Sequence, residues 1–317
     1  MFDIWRSGYI RRPLASVVAT PPHADEIHWL PLRESRFQYL ADPFALEVDG
    51  KVSVLVEAYD YRVRRGEIHY LSFDRNDRLV AEGLALSERW HLSYPSLIED
   101  GGQIYMLPEA HKSKALTLYR CDRFPDRWTP VKRLLDLPAI DATVVKHDYR
   151  WWMFFTLPGR EERAMREMYV ALADSLMGPW RAWPTPALTG LNRSRPGGQA
   201  FVRDGAIHLP VQDCSDTYGG ALNLLRIVDP NPGGFHAIPV DRMEAGGLLS
   251  GFSDGLHTLS GAGSITCIDV KAFAEAPEEE QRFKKEARLR RYLGVNRARG
   301  VANAWARPIP ALFAARA

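Results

Sequence analysis

The chain has 317 residues, 46% of them apolar, with 41 basic and 39 acidic side chains and a formal net charge of +2. A balance that close excludes a general electrostatic case for nucleic acid. The three cysteines, Cys121, Cys214 and Cys267, show neither the C-x-x-C spacing of a zinc site nor the number of a disulfide framework.

The opening MFDIWRSGYIRRPL lacks the apolar segment of a signal peptide, and no run of eighteen apolar residues marks a transmembrane helix. A cytoplasmic protein is therefore expected. Within the first 33 residues, IWRSGYI and EIHWLPL read as strands. From Glu47 a pattern begins that recurs along the chain.

EVDGKVSVLVEAY (47–59) and IEDGGQIYMLPEA (98–110) align at Gly50 and Gly102, with Glu57 and Glu109 seven residues later and Pro43 and Pro95 seven residues earlier. VVKHDYRWWMFFT (144–156) and FVRDGAIHLPVQD (201–213) continue the series, placing Thr156 and Gln212 where the glutamates stood. The central pairs Asp49-Gly50, Gly101-Gly102, Asp148-Tyr149 and Asp204-Gly205 suit type I′ turns, which need positive φ at both positions. Each hairpin is followed by further strand-like runs, such as GEIHYLSF and RLVAEGLAL after the first. No helical segment is expected before about Glu275, which argues against a parallel sheet.

Four antiparallel strands per unit, at a period of roughly fifty residues, predict an all-β fold, a five-bladed β-propeller. The fifth unit is GLHTLSGAGSITCIDVKAF (255–273), completed by the N-terminal strands so that both chain ends share one blade and leave fewer open edges. A sixth blade would need more sheet from the N-terminal segment. The domain division is thus a propeller over 1–274 and a C-terminal helical tail over 275–317. Pro277 followed by Glu278, Glu279 and Glu280 reads as a helix start, and the amphipathic helix is expected to dock on the propeller, a second subunit or a partner with its basic face solvated, or, on a sharper reading, to touch a membrane surface or polyanion.

In a propeller the innermost strands line a central channel. The alignment gathers their starts (Asp42, Tyr94, Asp141, Gly197) and the ends of the second strands (Glu57, Glu109, Thr156, Gln212, with Asp213 next) at one mouth. Asp42, Glu57, Glu109 and Asp141 therefore converge from three blades, flanked by His91, Arg195, Gln199 and His257. Carboxylates crowded in a partly dry funnel raise one another's pKa, and a protonated acid beside an ionised base is what glycosidic-bond cleavage needs. Trp90 and Tyr94, on either side of His91, are expected to offer aromatic faces to a sugar ring. Arg195 suits a substrate carboxylate or phosphate, or neutralises the funnel. Trp151, Trp152, Trp180 and Trp183 are expected to pack between blades. The histidines show no metal-ligand spacing, and GAGS (261–264) is an incomplete dinucleotide loop. No cofactor is predicted, although a channel cation is compatible with the reading.

ADPF at the first blade, YPS at the second, AIDATVV at the third and SLMGPW (175–180) closing it resemble the five-bladed propellers of glycoside hydrolase family 43. The longer strings ADPFALEVDGKVSVLVEAY, SYPSLIEDGGQIYMLPEA and SRPGGQAFVRDGAIHLPVQD resemble the N-terminal propeller domain of glucosamine inositolphosphorylceramide transferases and their bacterial homologues, over about residues 35 to 270. The hydrolase resemblance implies a catalytic base at Asp42 and an orienting carboxylate at Asp141. The glutamate that serves those enzymes as acid, at the start of a later blade, is replaced here by SRPGGQA, so Glu109 is taken as the substitute acid. The expected function is action on a glycosidic bond, by hydrolysis or transfer, with a glycan or sugar nucleotide as substrate. The alternative is a non-catalytic module that binds such a ligand for a partner enzyme. A scaffold for protein partners is a third reading.

Overall fold

The computed structural model describes residues 2–33, 37–160, 162–231 and 234–275. Five antiparallel sheets follow one another in the chain. Blade 1 is built from Gln38–Val48, Lys51–Asp60, Arg65–Phe73 and Leu79–Leu86. Blade 2 follows with Ser93–Asp100, Gln103–Glu109, Leu116–Arg123 and Arg127–Leu135. Blade 3 comprises Ile140–His147, Arg150–Thr156 and Glu167–Ala173, with two short outer pieces, Arg181–Ala182 and Leu188–Thr189. In blade 4 the inner strand is broken into Arg195–Pro196 and Phe201–Arg203, and Ala206–Asp213, Ala221–Asp229 and His236–Met243 complete the sheet.

Blade 5 joins the two ends of the propeller, as the edge argument expects. Leu259–Ala262 and Ile265–Ala274 supply its inner strands. Phe2–Ile10 pairs along Ile265–Ala274 from Phe2↔Ala274 to Ile10↔Thr266, and His28–Trp29 adds the outer edge. The hairpin turns adopt the required geometry: φ is positive at Asp49, Gly50, Gly101, Gly102, Asp148, Tyr149, Asp204 and Gly205. Propeller closure thus rests on backbone pairing, and no buried sheet edge is left where the ends meet.

Apolar clusters fill the gaps between successive blades. Trp151 and Trp180 pack with Leu107, Leu118 and Met153 between blades 2 and 3, while Trp152 and Trp183 join Phe154, Leu209 and Val211 between blades 3 and 4. A fully buried side chain such as Met153 or Phe154 stabilises the fold by about 1.5–3 kcal/mol. Two short helices depart from the all-strand expectation. Leu14–Ala19 follows Pro13 and buries Leu14, Val17 and Val18 on one face, and Arg163–Arg166 makes a single turn. Both are too short for a periodic signal in sequence. No helix among the described residues is long and apolar enough to cross a membrane. The compact unit ends at Glu275, and the expected tail helix with its docking role lies outside the described residues.

Blades 4 and 5 meet where Gly198, at φ +129°, pairs with Leu259, and a Cβ on Gly198 would lie 1.8 Å from the Leu259 carbonyl oxygen. Gly198→Ala is therefore expected to destabilise the protein by about 3 kcal/mol or more. Gly101→Ala, also at positive φ but in open space, should cost only about 1 kcal/mol. Equal denaturant midpoints for the two variants would show that this junction is not tight.

Candidate functional site: a carboxylate ring at the propeller axis

The inner strands of blades 1, 2 and 3 each break register at one aligned place, between Ala41 and Phe44, Ser93 and Ser96, and Ile140 and Thr143. The residues at these bulges, Asp42, Tyr94 and Asp141, have φ of 51°, 47° and 49°. A bulge with its first residue in the left-handed region re-aims that side chain and frees its N–H from the ladder. The freed N–H groups are used at once. Asp42 N donates to Asp269 Oδ2 at 3.1 Å, and Tyr94 N donates to Asp42 Oδ2 at 3.1 Å. Blade 5 is thereby tied to blade 1, and blade 1 to blade 2.

Asp42, Glu57, Glu109 and Asp141 are all buried. Burial pushes the Asp42 carboxyl up; His257 counters this and the charges of Asp141 and Asp269 add to it, leaving the group at about 7. Glu57 is raised well above its ordinary value by burial and by Asp42, Glu109, Asp141 and Asp269. Burial also raises Asp141, against Arg195, whose Nε lies 2.8 Å from Asp141 Oδ2. Gln212 Nε2 reaches the same oxygen at 3.3 Å. Burial works to raise Glu109 too, but bonds from the His111 side chain and backbone, at 2.7 and 2.6 Å, outweigh it and hold the group below its ordinary value. Ser93 Oγ completes its shell at 3.1 Å.

His91 lies between the two glutamates. Gly66 N donates to His91 Nδ1 at 2.9 Å, so the neutral ring carries its proton on Nε2. That nitrogen is 3.6 Å from Glu57 Oε1 and 3.8 Å from Glu109 Oε2, distances that suit an intervening water or ligand hydroxyl. Burial lowers His91 to about 4, so it is neutral at pH 7 and brings Glu57 no charge. The approach depends on Gly66: a Cβ there would sit 2.5 Å from Glu57 Oε1.

His257 is the opposite case. Burial acts to lower it, but Asp269 and Asp42 outweigh that and raise it. Its Nδ1 is 2.8 Å from Asp269 Oδ2 and its Nε2 3.5 Å from Asp42 Oδ1, and Trp5 stacks on the ring at 3.6 Å. Asp42, His257 and Asp269 also place one potential ligand atom each within 4.8 Å of one another, the described residues best arranged to hold a metal. A cation there would compete with the proton that His257 holds between the two carboxylates.

Several expected contributors lie elsewhere. Asp213 points away from the axis and pairs with the half-exposed Arg242 at 2.6 Å, because neighbours on a strand face opposite ways. Tyr94 is fully buried, so it offers no sugar-stacking face; its hydroxyl crosses the axis to donate to Gly198 O at 2.5 Å and accept from Gly198 N at 2.8 Å. Trp90 is half-buried, packed on the core between blades 1 and 2 with Arg89 over its ring. Gln199 makes its side-chain contact with Gly261 N, at 3.4 Å, and none with the carboxylates. Sequence reasoning missed Asp269, His111, Thr258, whose Oγ1 donates to Asp42 Oδ1 at 3.1 Å, and Lys271, whose Nζ donates to Tyr218 O at 2.5 Å. Counting seven residues from Ser264 in the fifth hairpin lands on Lys271, and Asp269 lies two residues earlier on the same strand face. The repeat rule would have found Lys271, and through it the strand face that carries Asp269. Thr258 and His111 follow no such spacing.

The sequence profile of the family described as "Glucosamine inositolphosphorylceramide transferase 1, N-terminal" matches residues 13–245. Glucosamine inositolphosphorylceramide transferase 1 of Oryza sativa subsp. indica is 35% identical over 210 residues, which are 64% of this chain and 28% of the rice protein. The chain thus spans little more than a quarter of that relative. Among solved structures, the catalytic domain of a Coprinopsis cinerea GH62 α-L-arabinofuranosidase superposes with a TM-score of 0.56 at 11% identity, covering 76% of this chain and 93% of that one. A GH43 β-xylosidase/α-arabinofuranosidase from a compost microbial metagenome gives 0.50 at 16% identity, with the same coverages. At those identities the likeness is one of fold.

The raised groups carry a consequence for stability. Asp42 and Glu57 sit above their unfolded values of about 4, and His257 above its own. Stability from groups raised in this way is complete below the unfolded pKa and is lost as pH rises through the folded one. Unfolding free energy should therefore fall by roughly 2–4 kcal/mol between pH 5 and pH 8, and Asp42→Asn should flatten much of that fall. Urea melts at the two pH values check this; a wild-type protein equally stable at both contradicts the assignment.

Proposed function

The chain belongs to the family of glucosamine inositolphosphorylceramide transferase N-terminal domains, and from that premise we propose that its axial carboxylates act on a glycosidic bond of a glycan or sugar nucleotide, by hydrolysis or by transfer to an acceptor hydroxyl. The observation that carries this reading is the split in protonation among carboxyl groups sharing one mouth. Glu57 is pushed up with no cation of its own, Glu109 is held down by His111, and Asp42 stands at about 7. Pairs of carboxyls driven apart in this way mark acid and base roles.

In this scheme Glu57 donates its proton to the glycosidic oxygen as the bond to the sugar breaks. Asp42, ionised, takes the proton from the attacking water or acceptor hydroxyl as the new bond forms. A base whose pKa lies near the working pH is well matched to that task. Asp141, bonded to Arg195 and Gln212, orients the sugar. Glu109 departs from the acid role expected from sequence, because its carboxylate is kept ionised; it serves instead to position His91 and His111 at the mouth.

A second reading has its own support. The blade-4 position that holds an acid in the hydrolase pattern carries Arg195 and Gln199, and the chain covers 28% of its rice relative. A module that binds a sugar at the axis for a partner enzyme fits both facts. It predicts a rise in melting temperature with a glycan or sugar nucleotide and no turnover of any.

Against a panel of activated glycosides and sugar nucleotides, kcat/KM for the best substrate should rise as pH climbs through about 7, where Asp42 ionises. Asp42→Asn and Glu57→Gln should each lower it by about 10²–10⁴, and Glu109→Gln by less. Turnover by Asp42→Asn at the parent rate would remove the axial site from the chemistry.

A further inference from the structure

The outer strands of blades 1, 2 and 4 run for 8, 9 and 8 residues, but that of blade 5, His28–Trp29, has only 2. It covers Gly8 and Tyr9 of the nine-residue strand Phe2–Ile10. Contact ends at Ser7, whose C=O accepts from Leu30 N at 2.9 Å. No described strand lies along the outer edge from Phe2 to Arg6.

The main chain of Trp5 faces that edge. Its partner on the inner side, Lys271, turns its own main chain the other way: Lys271 N donates to Gly255 O at 2.8 Å, and Lys271 O accepts from Asp254 N at 2.9 Å. Opposed residues of an antiparallel pair exchange both bonds or neither, so the Trp5 N–H and C=O point outward. On the same edge Asp3 C=O accepts from Tyr61 Oη at 2.9 Å. Trp5, between Asp3 and Ser7, is buried, and no described residue bonds its N–H or its C=O. Main-chain groups so placed are normally paired.

A cavity of about 380 Å³ runs along this edge and takes in both faces of blade 5. Ile4 and Phe252 line it on the face toward blade 4, and Tyr39 and Leu40 of blade 1 line it on the other. Arg6 and Arg33 also line it, and none of its described lining residues is acidic. Arg33 Nη1 lies 3.2 Å from Glu82 Oε2, whereas Arg6 makes no ion pair with a described residue. By strand alternation Arg6 shares the face of Ile4.

We propose that the outer edge of Phe2–Arg6 is a docking site for an extended peptide segment of a partner protein, added to blade 5 as a strand antiparallel to Phe2–Ile10. Its central residue exchanges both main-chain bonds with Trp5, and that side chain faces Tyr39 and Leu40. The residue before it lies opposite Arg6 and is acidic. The residue after it lies opposite Ile4 and is apolar, seated toward Phe252. A peptide main chain carries a donor and an acceptor on one residue at the spacing that Trp5 requires, and its alternate side chains reach both faces of the blade at once. Main-chain bonds of an added strand supply affinity, and the side-chain seats supply specificity. This site stands independently of the glycosidic reading.

The probe is the peptide acetyl-Ser-Glu-Val-Leu-Ser-amide. Titrated into the full chain, it should show saturable binding by calorimetry, and it should slow hydrogen exchange of the Trp5 amide about tenfold or more. Methylating the valine nitrogen removes the donor to Trp5 C=O and should weaken binding about tenfold or more. Lysine in place of the peptide's glutamate should weaken it likewise, and Arg6→Glu should reverse that preference, an exchange that a merely misfolded variant does not give. Asp42→Asn should bind the peptide as wild type does, so failure of every glycoside assay leaves this site in place. Equal binding of the methylated and parent peptides overturns the proposal, as does an unchanged Trp5 amide. A dimer in sedimentation with its Trp5 amide already protected puts a second copy on the edge, and it also overturns the assignment to a partner protein.

Discussion

Three bulges at one aligned position of the inner strands hold the site together. A residue in the left-handed region costs roughly 1–2 kcal/mol of backbone strain when it is not glycine, and here the cost recurs at Asp42, Tyr94 and Asp141. What it returns is direction. Without the bulge a regular strand would send these side chains alternately toward the two neighbouring blades. With it, two carboxyls and a phenol point at the axis, and the backbone N–H groups released at Asp42 and Tyr94 bond carboxylates of the preceding blade in the propeller. The same feature builds the site and ties neighbouring blades around it.

The electrostatics of the ring follow from what stands beside each carboxyl. Asp141 has Arg195, Glu109 is bonded by the His111 ring and backbone N–H, and Asp42 and Asp269 share His257. Glu57 has only His91, which burial keeps neutral at pH 7. Removing an ionised carboxylate from water without a partner costs far more than taking up a proton, so Glu57 is driven toward its protonated form. Because the groups interact, the protons are properties of the cluster as much as of any residue. That division of charge is the physical basis of the acid and base roles proposed above.

The cavity beside blade 5 extends this logic outward. The N-terminal strand closes the propeller, presents Trp5 to His257, and turns Arg6 toward an apolar hollow. The strand that closes the propeller thus also lends a side chain to the carboxylate ring, through Trp5 on His257.

Much of this was legible in the sequence. The glycine-centred hairpins and seven-residue offsets specify blades, their order and the shared mouth, because turn chemistry and the two-residue strand period are local. The same rule, carried into the fifth hairpin, reaches Lys271, with Asp269 two residues before it on the same face. Other assignments needed the fold. Asp213 and Gln212 are adjacent in the chain, yet only Gln212 meets Asp141; Tyr94 aligns with Asp42, yet its length carries the hydroxyl across the axis into a backbone pair. Whether a carboxyl holds a proton depends on which cation stands beside it and how far water is excluded, and those partners come from other blades. Chain-local forces thus determined the propeller and its acidic axis, whereas the charge on each acid was decided by contacts between residues as far apart in sequence as Asp42 and His257.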